Sequence, residues 1–193
     1  MPRIKADTVV AHRAAQRGAL IEAARALLAE NPGRAPSLAA VGARAGLARP
    51  SVYQYFKSSD DLFEAVVADM FPRWSRRLDE AMRTATTPGE RVLAYVDANL
   101  RLVADGEHAL ARSLAAMAAS TSGDGEHERH RTLVQPLIDA LRDLGARDPG
   151  TTADLINAVV YSVANLIESG TSLRVARTRA HELLVPYLDS RSE

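Results

Sequence analysis

Apolar residues recur at intervals of three and four along nearly the whole chain, and no stretch alternates apolar with polar as a half-buried strand would. The pattern predicts an all-α protein of about nine helices. The first covers roughly 12–30, with Leu20, Ala23, Ala24, Leu27 and Leu28 on one face, and stops at Asn31-Pro32-Gly33. Ser37 is placed to cap a second helix that ends near Gly46. A very short third helix spans about 49–56, and Ser58 opens a capping box with Asp61 for a long fourth one. Pro72 predicts a bend inside that helix, because it removes one backbone donor and crowds the preceding turn. Thr87, Pro88 and Glu90 supply an N-cap, a first-turn proline and an acid at the third helical position for a helix over about 88–104. Another helix is read over about 107–120. A small-residue loop from Ser120 to Gly125 precedes one that runs to Gly145 with a bend at Pro136. The last two start near Thr151 or Thr152, ending at Gly170, and near 173, ending at 189 unless Pro186 shortens it.

Composition narrows the class. Of 193 residues, 47% are apolar and 25% charged, the usage of a packed globular protein. The absence of cysteine removes disulfides, thiolate metal sites and thiol-based sensing. A polar N-terminus and the lack of a long apolar run predict a cytoplasmic protein without a membrane segment. The formal charge of zero conceals an asymmetry: residues 1–57 hold nine basic and three acidic side chains, a net of +6, and the remainder carries −6. A basic block at one end is the footprint of a segment that meets phosphates, although chance clustering of surface arginines gives the same count.

The stretch SLAAVGARAGLARPSVYQYFKSSDDLFEAVV, Ser37 to Val67, has the parts of a helix-turn-helix. Leu38, Val41 and Ala45 give the second helix an apolar edge. Gly46 stands where the chain turns tightly, and Leu47 plugs the angle between helices. Pro50 is tolerated in the first turn of the third helix, and Val52 and Phe56 face back onto the first. Arg49, Pro50, Ser51, Tyr53, Gln54 and Tyr55 are left for the outside, where glutamine can pair with an adenine edge, arginine with guanine, and hydroxyls with phosphate oxygens. Ser37 and Lys57 extend this candidate DNA-binding set. Arg3 and Lys5 are either a minor-groove arm or a solvated tail.

At Ala45-Gly46-Leu47, Tyr53, Tyr55-Phe56, Ser58 and Leu62 the sequence resembles the TetR family of one-component bacterial regulators, over about 12–67. The resemblance implies a three-helix DNA-binding domain at 1–57 and a helical ligand-binding and dimerisation domain at 58–193. It further implies a homodimer formed through the last two helices, a double-stranded palindromic operator, and a small-molecule ligand that alters DNA affinity, most often of a repressor. Three positions depart from the family pattern. Ala48 replaces a capping Ser or Thr, Gly42 replaces an alanine, and Ser59 replaces a lysine; the first two each cost about 1 kcal/mol on propensity alone.

In the second region, TADLINAVVYSVANLIESG is apolar around most of its circumference, so it is covered on two sides, by its own subunit and a symmetry mate or wholly within one subunit. Met70, Trp74, Tyr95, Leu114 and Met117 form stripes that are either core or the wall of an apolar pocket, with Asn99, Tyr161 and Asn165 as its polar groups. The family's pockets lie among these helices. Glu126, His127 and His130 have ligand-like spacing, but the signal is weak and a solvated, charged helix start explains them without a metal, so neither a metal nor a cofactor is expected. With no nucleophile elbow, phosphate loop or zinc-protease motif, a regulator is expected rather than an enzyme. A helix-turn-helix protein without a small-molecule ligand, and a helical carrier or enzyme, are the alternatives.

Overall fold

The computed structural model describes residues 6–31, 34–107 and 125–191, with side chains at all of these but 6–8 and 125–130. The described residues form eight helices and no strand: α1 (Ala6–Glu30), α2 (Leu38–Arg44), α3 (Arg49–Val52), α4 (Ser59–Arg83), α5 (Pro88–Ala104), α6 (Gly125–Asp143), α7 (Pro149–Glu168) and α8 (Leu173–Asp189). The expected helix over 107–120 falls, beyond its first residue, outside them. So do Arg3, Lys5, Leu114 and Met117, and the side chains of Glu126, His127 and His130.

Capping chemistry sets most boundaries. Ser37 accepts a hydrogen bond from the Ala40 amide at 3.2 Å, and Ser58 accepts one from Asp61 at 3.1 Å while the Asp61 carboxylate takes the Lys57 amide at 3.0 Å. Thr87 and Glu90 make a reciprocal capping box on α5. Two of the helix starts differ from those expected, and the last helix ends where expected. α1 begins at Ala6 rather than near 12, since no Pro or Gly stands between the two to stop it. α7 begins at Pro149, because Asp148, not a threonine, is its N-cap and accepts from the Thr151 amide at 3.1 Å. α8 passes through Pro186 to Asp189, the proline carbonyl still accepting from the Ser190 amide at 3.2 Å. α4 likewise runs through Pro72.

The chain divides into two compact units, one holding α1–α3 and α4 as far as Met70, the other holding α4 from Phe71 and α5–α8. In the first, α2 packs on α1 and α3 on α2 around Leu20, Ala24, Leu28, Val41, Val52, Phe56, Leu62 and Val66. In the second, α5 is the central element and packs against α6, α7 and α8, with Val92, Val96, Leu100, Leu137, Leu141, Ile156 and Val163 in one cluster. Burying side chains of this size stabilises by about 1.5 to 3 kcal/mol each relative to exposure.

Candidate nucleic-acid interface and ligand site

The turn between α2 and α3 is built by glycine. Gly46 has φ +70°, and the amides of Gly46 and Leu47 return to the carbonyls of Ala43 and Gly42 at 3.2 and 2.9 Å, which closes α2 with a Schellman motif. Gly42 has a different role from the one its position inside a helix implies. A methyl group there would stand 2.5 Å from Val52 Cγ2 and 3.3 Å from the Leu47 carbonyl oxygen, so the missing Cβ is the space into which fully buried Val52 fits. The departure from alanine is thus a packing requirement between α2 and α3.

The third helix is shorter than expected. Only Arg49–Val52 is regular helix, continued by turns in which the amides of Tyr55 and Phe56 donate to the Val52 carbonyl at 2.9 and 3.0 Å. Its N-cap, Ala48, makes no side-chain hydrogen bond. What holds so short an element is its neighbours. Val52 and Phe56 are buried, and the Tyr55 hydroxyl donates to the Gln16 side-chain oxygen on α1. The Arg13 guanidinium lies 6.0 Å from the Tyr55 ring centroid and that of Arg17 5.3 Å from the Phe56 ring. Arg49, Pro50, Tyr53, Gln54 and Lys57 are exposed, as is Ser37, and Ser51 is half-buried. Tyr55, expected to face outward, is half-buried against α1 because its ring and hydroxyl both find partners there. Gln16, Arg13 and Arg17 were not singled out from the sequence, although their spacing of three and four on the exposed side of α1 is legible in it.

In the second unit the structure joins several of the expected pocket residues. Trp74 Nε1 donates to Asn99 Oδ1 at 3.4 Å, Asn99 Nδ2 donates to the Tyr95 carbonyl at 2.9 Å, and the Tyr95 hydroxyl donates to Asn157 Oδ1 at 3.0 Å. Asn99 is the one buried polar side chain in the described core. Burial pushes the Tyr95 phenol up to about 12, against the opposing pull of the Asn157 hydrogen bond. Asn157, absent from the sequence-based set, leaves its Nδ2 shielded from solvent and without a partner. An acceptor oxygen placed beside it would satisfy that donor.

Other expected pocket residues stand apart. Met70 is buried in the first unit. Tyr161 bears on the Tyr95 phenol electrostatically but is 51% exposed, and Asn165, one turn on, is exposed. Val163, on the helix read as covered on two sides, belongs to the core of its own unit. The side of α7 left uncovered carries Leu155, Tyr161 and Leu166. With Val175 and Leu183 on α8, these make five of the eight exposed large hydrophobic side chains among the described residues.

No helix among the described residues is long and apolar enough to cross a membrane, and no group of three His, Asp or Glu side chains among them is arranged to hold a metal ion. Comparison with known proteins places the helix-turn-helix. Residues 20–66 match the family model described as bacterial regulatory proteins, tetR family. The fatty acid metabolism regulator protein of Bacillus subtilis (strain 168) is 26% identical over 92 residues, 48% of this chain and 47% of that protein, so the shared stretch spans about half of that relative. A TetR-like transcriptional regulator from Rhodococcus sp. RHA1 shares the fold with a TM-score of 0.71 and 20% identity, over 90% of this chain and 96% of that one. AibR, solved in complex with isovaleryl coenzyme A and operator DNA, does so with a TM-score of 0.71 and 16% identity, over 88% and 98%. The matched segment begins at the first core leucine of α1 and ends inside α4, enclosing the Gly42–Val52 contact and the Gly46 turn, and over these residues the chain is similar to the tetR family of bacterial regulatory proteins.

Proposed function

We propose that this protein is a transcriptional repressor that binds a palindromic operator as a homodimer and leaves it when a small molecule with an acyl chain occupies the second unit. The observation that carries the reading is the outward set Arg49, Pro50, Tyr53 and Gln54 on a helix whose Val52 and Phe56 are locked inward, with Lys57 beside it. Such an element presents base-reading groups and a phosphate-binding cation on one rigid turn. The apolar side of α7 and α8, with Leu155, Leu166 and Leu183, supports pairing with a second copy through an isologous contact. The unpartnered Asn157 amide beside Tyr95 and Asn99 supports a ligand that brings an acceptor oxygen, such as a carbonyl or thioester, against an otherwise apolar core. The relatives named for fatty acid metabolism and for isovaleryl coenzyme A make an acyl compound the class to try first.

Selection of bound duplexes from a random library by the intact protein, followed by fluorescence anisotropy, tests the reading. The expected product is an inverted repeat with half-sites about one helical turn apart or a multiple of it. Gln54→Ala should lose about 1 to 3 kcal/mol and relax preference at one position, while Lys57→Ala should weaken all sequences alike and flatten the salt dependence by about one unit. A panel of acyl-coenzyme A compounds and free fatty acids should then release the duplex. Release by none of them would leave a constitutive DNA binder, and no selected repeat would overturn the assignment.

A further inference from the structure

The second unit carries a basic cleft that neither DNA binding nor the Tyr95–Asn157 site uses. It has a volume of about 780 Å³ and lies between the C-terminal half of α5 and the first turns of α8, lined by Asp97, Arg101, Ser172, Leu173, Arg174, Arg177, Thr178 and His181. Two stripes face one another: Asp97 and Arg101 at a spacing of four on α5, and Arg174, Arg177, Thr178 and His181 at spacings of three, four and seven on α8. Three guanidinium groups therefore meet one carboxylate, and that carboxylate is already engaged at both oxygens. Arg177 Nε lies 3.0 Å from Asp97 Oδ2, and His181 Nε2 lies 2.8 Å from Asp97 Oδ1, with the Asp97 side chain 14% exposed. Arg101 and Arg174 are exposed, and their guanidinium groups make no ion pair or hydrogen bond among the described residues.

The local electrostatics make this surplus unfavourable as it stands. Arg174 sits in the first turn of α8, at the positive end of the helix dipole, where an acidic side chain would normally be favoured and none is present. Ser172 caps that end, its hydroxyl accepting from the Val175 amide at 3.5 Å. An anion in the cleft would offset both the clustered guanidinium charge and the dipole, and paired arginines match the geometry of an oxyanion with two acceptor oxygens.

We infer that the cleft between α5 and α8 is a binding site for a small multivalent oxyanion, a phosphate ester or a polycarboxylate, held by Arg101 and Arg174 with Arg177 preset by Asp97. The site is separate from the face of α8 that carries Val175 and Leu183, which lies toward the opposite side of the helix, Leu183 standing about two and a half turns from Arg174. Binding there needs no DNA and no acyl ligand, so its test is independent of the proposed function.

Isothermal titration of the intact protein without DNA, at about 0.15 M salt to screen diffuse attraction, would use pyrophosphate and citrate as probes. Saturable binding of at least one is expected, and the preferred probe identifies which oxyanion chemistry the cleft takes. The double variant Arg101→Gln/Arg174→Gln should weaken it by roughly tenfold or more, with unchanged helicity by circular dichroism, since neither side chain holds a partner. Arg49→Gln/Lys57→Gln, in the basic N-terminal region, should leave it unaltered. Absence of saturable binding to both probes, full retention in Arg101→Gln/Arg174→Gln, or loss in Arg49→Gln/Lys57→Gln would each overturn the assignment.

Discussion

A single missing carbon decides how the recognition element is seated. On helix propensity alone, Gly42→Ala should stabilise α2 by about 1 kcal/mol. The added methyl, however, meets stiff, fully buried Val52 at 2.5 Å and a backbone carbonyl at 3.3 Å, so the packing term reverses the sign. Urea unfolding of Gly42→Ala is expected to show a net loss of about 1 to 3 kcal/mol, partly restored in Gly42→Ala/Val52→Ala; a gain in stability would refute the contact. Tyr95 gives a second test at this scale. Its phenol ionises near the ordinary value of 10 in the unfolded chain and near 12 in the fold, so below pH 10 both states are neutral and it has no effect. As pH rises through that interval the unfolded state loses its proton first, and the fold should lose stability at up to about 1.4 kcal/mol per pH unit, about 2 to 3 kcal/mol in all. Tyr95→Phe should remove that alkaline dependence while lowering stability at neutral pH, because it strands Asn157 Oδ1. Equal alkaline slopes for both proteins would show that the phenol is not held in the buried bond.

At the scale of elements, a one-turn helix without a side-chain cap cannot hold its own orientation, and α1 does so from outside. Gln16 bonded to Tyr55, with Arg13 and Arg17 over the aromatic rings, fixes the angle at which α3 leaves the fold. In anisotropy measurements, Gln16→Ala and Tyr55→Phe should each weaken operator binding, and the double variant should be no worse than either. Additive losses would mean that the two residues contact DNA separately instead of positioning the helix. The caps act similarly elsewhere. Thr151 holds the Asp148 carboxyl below its ordinary range through its hydroxyl and its amide. The stabilisation this gives α7 is therefore present at neutral pH and fades as pH falls through the lowered value. Asp148→Ala should cost about 1 kcal/mol at neutral pH and progressively less in acid, by thermal unfolding.

For the whole molecule, the apolar side of α7 and α8 and the core side of the same helices have opposite requirements. Leu155→Glu and Leu183→Glu place charges on exposed positions, so each should yield a folded monomer in sedimentation if that side pairs two copies. Val163→Glu buries its charge inside one unit and should unfold it instead. Folded dimers from both leucine variants would send the dimer contact elsewhere. The sequence by itself determined most of the described helices, the caps at Ser37, Ser58 and Thr87, the Gly46 turn and the inward Val52 and Phe56, because capping and periodicity are local chemistry read over a few residues. It also set Trp74, Tyr95 and Asn99 in one candidate group, but with Met70, Tyr161 and Asn165, which stand apart from them. Only the tertiary structure decided that Gly42 makes room for Val52, that Tyr55 turns to Gln16, that Asn157 stands beside Tyr95, and that Val163 faces inward while Leu155 and Leu166 face out. The reason is rotational. On a helix apolar around most of its circumference, periodicity does not say which side meets the neighbour, and contacts between residues dozens of positions apart depend on how helices pack rather than on any local pattern.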